Sequence, residues 1–153
     1  MKDEDLVFED WKMTKDRIKH FDDVCVRIRI GGVPIASAII GAGLSSFEYT
    51  SRISFTIGTY NINATSIVIL FGTFYLLPIF ALDMFHFYLL LVSVKHAREI
   101  EQREKFKNKL QITTKLTSPA LTRIHTGIAV VIYVGIFLTG LALAYAVNFL
   151  PKT

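Results

Sequence analysis

Three apolar runs stand out along the chain: Ile30 to Phe47, Ile67 to Val94 and Ile124 to Pro151. Each meets the length of about 18 to 20 residues that an α-helix needs to cross the hydrocarbon of a bilayer, and nothing else is long enough. The pattern predicts an all-α membrane protein with three transmembrane helices, over residues 27–47, 66–94 and 124–150. Upstream, residues 3 to 23 alternate acids and bases around Val7, Trp11, Ile18, Phe21 and Cys25, a spacing close to heptad. This predicts an N-terminal amphipathic helix within residues 1–26. Two placements suit its apolar face: the inner membrane surface with Trp11 at headgroup depth, or the protein's own bundle.

Between the second and third runs, KHAREIEQREKFKNKL from Lys95 lacks Gly and Pro and is dense in good helix formers. Glu99 precedes Arg103 by four and Glu101 precedes Lys105 by four, the favourable orientation for charge pairs. The second span is therefore expected to continue as a cytoplasmic helix to about Leu110. Thr113 to Pro119 carries the turn chemistry that would end it, within a cytoplasmic segment 95–123. The loop 48–65 is polar, with a short alternation at Ser54, Phe55, Thr56 and Ile57 that suits extended structure. Asn63-Ala64-Thr65 in that loop matches a glycosylation acceptor, a pattern short enough to arise by chance.

Composition agrees with the pattern: 52% of the 153 residues are hydrophobic and the mean hydropathy is +0.43, too apolar for an ordinary soluble domain. Charge adds orientation, because Lys and Arg near span ends are retained on the cytoplasmic side. Seven basic residues precede the first apolar run, eight lie from Lys95 to Arg123, and only Arg52 and Lys152 fall elsewhere. The N-terminus and the second loop are expected inside, and the first loop and C-terminus outside, a bacterial inner membrane. Cys25 is the single cysteine, which excludes an internal disulfide and a thiolate metal site.

The first span is rich in small residues, with Ser37, Gly41 and Ser45 on one face at steps of four. Small residues at that spacing let helices approach closely, and Gly140 and Ala144 form another such pair in the third span. These positions are expected to pack helices. Pro34 is expected in the first turns of its helix, where a missing donor matters least.

The second span carries the candidate chemistry. Its 28 residues extend about 42 Å, against about 30 Å of hydrocarbon, so an apolar surplus at Phe87 to Val94 would need covering by the N-terminal helix or by other copies. A homo-oligomer is expected. Asp83 is the one carboxylate within it, an expensive group in lipid that normally faces protein or water. Gly72, Ile79, Asp83, His86 and Ser93 lie in one broad stripe, and Pro78 frees the carbonyl of Phe74 nearby. Around an axis such a stripe would line and gate a pore, with acidic and imidazole rings that select cations or protons. The alternative is an Asp83–His86 hydrogen bond that ties helices together.

In its three-span plan, basic inner helices and single intramembrane carboxylate, the chain resembles the small multi-pass membrane effectors of bacterial antiviral operons. That resemblance implies a channel or pore-forming effector released by a sensor protein or nucleotide signal, and carries over no site residue. The basic region from Lys95 to Arg123 is a candidate surface for a cytoplasmic regulatory protein, an anionic ligand or acidic lipid. The competing expectation is a haem- or quinone-binding anchor subunit of a respiratory complex, with His86 and His125 near the inner membrane edge. An enzyme is not expected: His20, His86, His96 and His125 show no metal-ligand spacing, and there is no nucleophile elbow or phosphate loop. No catalytic residue, metal or cofactor is assigned under the channel reading.

Overall fold

The computed structural model describes residues 3–50, 52–57, 60–103 and 119–149. In chain order they form α1 (Asp3–Ser45), α2 (Phe47–Thr50), β1 (Ser54–Ile57), β2 (Tyr60–Asn63), α3 (Ala64–Glu101) and α4 (Pro119–Phe149). The protein is mostly helical, and α1, α3 and α4 are each long and apolar enough to cross a membrane. One two-stranded hairpin interrupts the all-α plan.

The amphipathic segment and the first apolar run are one helix, not two. Pro34 therefore stands deep inside α1, where its ring removes the N–H that would bond the carbonyl of Ile30. α3 likewise runs unbroken through Pro78. Its extension beyond the apolar run is shorter than expected. The helix closes at Glu101 with Gln102 N–H donating to the Arg98 carbonyl at 2.9 Å and Arg103 N–H to that of Ile100 at 3.2 Å. Arg103 thus lies past the helix end, so a helical pair with Glu99 is not available; Lys105, Leu110 and the turn at 113–118 lie outside the described residues. α4 opens on Pro119, whose fixed φ suits the first helical position.

The chain divides into two compact units, one from residues 28–81 and 129–153, the other from residues 1–27 and 82–128. The first is a three-helix unit with α3 in the middle. Against α1, a methyl group on Gly32 would lie 2.7 Å from Ile79 Cγ2, and one on Gly72 would lie 3.0 Å from Ile39 Cγ2 and Ile40 Cγ1. Large aliphatic side chains of one helix therefore sit directly on backbone of the other, the close approach that small residues allow. Against α4, Phe80 meets Tyr133 edge-on at 5.2 Å and Phe74 meets Phe137 at 6.0 Å. Two buried clusters result, Ala36, Leu76, Ile79 and Tyr133 in one, Ile40, Ile69, Ala144 and Val147 in the other.

The alternation at 54–57 is a strand, paired antiparallel so that Ser54 faces Asn63 and Ile57 faces Tyr60. Asn63 is only 4% exposed, and its Oδ1 accepts the Thr65 N–H at 2.9 Å, capping α3. The glycosylation-like triplet is thus a helix cap. Asn148 of α4 fastens the strand, accepting from Asn63 N–H at 3.1 Å and donating to the Asn61 carbonyl at 3.4 Å.

The second unit is a seam between residues 3–27 of α1 and the C-terminal part of α3. Its buried residues include Cys25, Phe87, Ala97 and Ile100, with three polar ones, Thr14, Asp83 and Glu101.

Candidate functional site

The expected pore stripe faces inward. In the three-helix unit Gly72 and Ile79 are buried against α1, while Pro78 lies on the exposed side of α3. In the second unit Asp83 is wholly buried at 0% exposure and is engaged by partners. His86 is half-buried and its Nδ1 lies 2.9 Å from the carbonyl of Leu82, one turn back on its own helix. Phe85 stands edge-on to the imidazole at 5.5 Å, and Ser93 is half-buried. Residues turned toward the interior of one chain do not line a channel shared between copies unless the helices part. The outward face of α3 instead carries Phe71, Phe74, Leu77, Leu82, Phe85 and Tyr88.

The two predicted packing faces fare differently. Gly140 and Ala144 are buried: Gly140 lies against Thr73, and the Ala144 carbonyl accepts from Ser66 Oγ at 3.0 Å. Ser37 and Ser45 are exposed, and nothing stands within 4 Å of where a side chain on Gly41 would begin. Inside the chain α1 packs through the adjacent face, Gly32, Ala36, Ile40 and Gly43. Ser37 lines an open apolar groove of about 420 Å³ with Ile40, Gly135, Thr139, Gly140 and Leu143. The hydroxyls there are turned onto their own helices, Ser37 to the Val33 carbonyl at 3.0 Å and Thr139 to the Gly135 carbonyl at 2.8 Å.

The polar chemistry that the sequence did not reveal is at the far end of the seam. The Glu101 side chain is 0% exposed although it terminates α3. Trp11 Nε1 donates to its Oε1 at 3.3 Å, and Lys15 Nζ lies 3.9 Å from the same oxygen. The Lys15 ammonium also sits 5.5 Å above the Trp11 ring, and Phe8 stacks on that ring at 6.0 Å. Farther out, His96 Nε2 meets Asp10 Oδ2 at 3.2 Å, with both side chains nearly half exposed. Each group of α1 in this cluster is 86 or 90 positions from its partner on α3. The chain matches no protein-family model, no curated protein and no solved structure.

Chemically the cluster is a buried carboxylate with an indole N–H donating to it and an ammonium 3.9 Å away among its partners. Such a group is stable only while its partners stay in place, because a buried charge without compensation is strongly unfavourable. The only sequence signal was Trp11 at a heptad position. Glu101 reads from the sequence as half of a helical charge pair with Lys105, and nothing local marks it for burial. The side chain of His125 is outside the described residues, as is the basic stretch 104–118.

Proposed function

We propose that this is a three-span membrane protein of the bacterial inner membrane, with its N-terminus and the 95–123 segment in the cytoplasm. It assembles as a homo-oligomer and acts as an ion channel or pore-forming effector controlled from the cytoplasmic side. Membrane residence is supported by the apolar belts, since only 22% of the most apolar window of α4 is buried within the protein and Val131, Ile132 and Leu138 are open. A surface of that kind needs lipid or other helices.

The observation that carries the channel reading is Asp83. A carboxylate held at 0% exposure within the apolar run Ile67 to Val94 of α3 is a poor choice for mere cohesion. It suits a group that is sequestered at rest and hydrated when α1 and α3 separate, and the exposed Pro78 supplies a weak point in the same helix. Neighbouring copies, pairing through the open Ser37, Gly41 and Ser45 face, would surround the path so created. A cytoplasmic protein or anionic ligand at the basic segment would set the equilibrium between the two forms.

The test is ion efflux from liposomes containing the full-length protein. Asp83→Asn and Asp83→Ala are expected to change efflux or its ion preference while leaving assembly intact. Unchanged efflux in both, or none from well-folded wild type, refutes the reading. A second reading, a haem- or quinone-binding anchor, is favoured by one contact. If Nδ1 of His86 carries the proton donated to Leu82, Nε2 keeps the lone pair that ligates iron. Purified protein with a Soret band lost in His86→Ala would establish that alternative, and a colourless protein that takes up no haem removes it.

A further inference from the structure

The two edges of the hairpin are finished differently. Continuing the β1–β2 register places Ile53 opposite Ala64, and Ala64 N–H donates to the Ile53 carbonyl at 2.9 Å. Bonded and non-bonded pairs alternate along an antiparallel ladder, so Phe55 and Ile62 again form a bonded pair. The backbone groups of the intervening residues, Ser54 with Asn63 and Thr56 with Asn61, therefore point away from the ladder. On the β2 side those outward groups are covered. The Asn148 amide accepts from Asn63 N–H at 3.1 Å and donates to the Asn61 carbonyl at 3.4 Å, as a neighbouring strand would. On the β1 side the backbone N–H and C=O of Ser54 and Thr56 have no such partner among the described residues, and both residues are exposed. Residues 53–57 contain neither charge nor proline, two of the devices that keep an open edge from pairing.

We propose that this open edge receives β1 of a second copy, antiparallel about a two-fold axis at Phe55, so that the two hairpins join into one continuous sheet. This rests on the homo-oligomer reading and gives the assembly a contact beyond its helices. The edge is self-complementary: with Phe55 opposite its symmetry mate, Ser54 of each copy faces Thr56 of the other, and every outward N–H meets an outward C=O. The two Phe55 rings adjoin across the axis in a non-bonded pair, the type in which side chains approach most closely, and aromatic pairs there stabilise a sheet. The Arg52 positions fall at opposite ends of the joined strands, about 20 Å apart, so like charges do not meet. The symmetry also suits a bilayer, because the two-fold axis of an antiparallel pair is perpendicular to the sheet. Alternation puts Ile53, Phe55 and Ile62 on one face of the hairpin and Ser54, Thr56 and Asn61 on the other. Ile53 and Phe55 are each 51% exposed. A hairpin lying flat with that face toward lipid makes the pairing axis the bilayer normal, the one direction that keeps both copies in the same orientation across the membrane. β1 has only four residues, so the pairing draws on the high local concentration of copies held in one membrane.

The experiment uses full-length protein in liposomes, carrying Cys25→Ser and one new cysteine, and follows disulfide-linked dimer after addition of copper phenanthroline. Phe55→Cys is expected to link at least about tenfold faster than the equally accessible Arg52→Cys, because directly opposed residues of a non-bonded pair lie about 4.5 Å apart at Cα, within disulfide reach. Ser54→Cys and Thr56→Cys should each link slowly alone, since their symmetry mates are diagonal neighbours about 7–8 Å away. Mixed in one membrane, with one of them tagged, they should link to each other. Thr56→Pro removes an outward N–H and leaves the β1–β2 ladder intact, as proline does on an edge strand, and added to Phe55→Cys it should slow linking by about tenfold or more. Native helicity by circular dichroism and monodisperse elution certify the fold of each variant. Pairing is refuted if Phe55→Cys links no faster than Arg52→Cys, if the Ser54→Cys and Thr56→Cys mixture links no faster than either alone, or if the proline leaves the rate unchanged. Linkage of position 55 in native membranes to a different protein, and not to itself, assigns the edge to a foreign strand and also refutes it. Light scattering separates the two readings: an oligomer without linkage at position 55 loses only the edge contact, whereas a monomer at every concentration overturns the homo-oligomer reading with it.

Discussion

Gly140→Ala probes the tightest approach in the three-helix unit. A methyl group on Gly140 would overlap Thr73 Oγ1 and lie 3.1 Å from both Thr73 Cβ and Cγ2. Carbon atoms pack at about 3.5 to 4.0 Å, so α4 must retreat by about half an ångström or more along this turn. Thr73 cannot give way instead. It is wholly buried, and its hydroxyl donates to the Ile69 carbonyl at 2.8 Å. Overpacking of this kind costs about 1–3 kcal/mol. Alanine also gains up to about 1 kcal/mol over glycine in helix propensity, which could mask part of the loss. Gly135→Ala isolates it, because that site lies on the same helix with nothing within 4 Å of the added carbon. Unfolding in mixed micelles, followed by circular dichroism as dodecyl sulfate is increased, should place Gly140→Ala below Gly135→Ala by about 1–3 kcal/mol. Adding Thr73→Ala should recover at least about 0.5 kcal/mol of that gap through the coupling expected of touching residues. If Gly140→Ala is as stable as Gly135→Ala, the contact between α3 and α4 at this turn is not the one described.

Asn63→Ala should lower stability in the same assay by about 1 kcal/mol, the usual worth of a side-chain cap, while Asn63→Asp keeps the acceptor and most of the stability. Equal stability of the alanine variant and wild type would deny the cap. In a Cys25→Ser background, a cysteine at Ser37 should cross-link copies in the membrane, whereas one at the wholly buried Ala36 should not. Cross-linking at neither position removes this face from the oligomer.

Three long helices were legible because bilayer thickness sets a length that few other structures need, and the runs beginning at Ile30, Ile67 and Ile124 meet it. The cap at Asn63 was hidden by the reading of the same three residues as a modification signal. The stripe Ser37, Gly41 and Ser45 is not the face that meets α3 within the chain, because counting small residues does not say which partner a face receives. The face that packs mixes small and large, Gly32 and Gly43 with Ile40, and it is defined by Ile79, Gly72 and Ile69 on α3. Pro34 misled in a similar way. A proline after two glycines is a strong local break signal, yet contacts with α3 on both sides hold the helix through it. Glu101 was unreadable for a simpler reason: Trp11, which donates to it, stands 90 positions away in the chain.

The two units use buried polarity in opposite ways. In the three-helix unit the buried polar side chains close on backbone or on each other: Asn63 on Thr65, Thr65 on Thr50, Ser66 on the Ala144 carbonyl, Thr73 on the Ile69 carbonyl. Each is neutral, and each bond survives any change of charge or ligand in the surroundings. In the second unit the buried polar side chains include two carboxylates, Asp83 and Glu101, and the Lys15 ammonium 3.9 Å from Glu101 is 26% exposed. If permanence were the only requirement, hydrocarbon at positions 83 and 101 would serve as well or better, since apolar replacement of a buried ion pair is often neutral or stabilising. Retaining charge there makes sense when the joint must open. The prediction that separates the two accounts is Glu101→Leu combined with Lys15→Leu. A purely structural seam tolerates that pair or gains stability from it, with activity unchanged. A joint that opens in use is held shut by the same pair, and efflux from liposomes falls below the parent level.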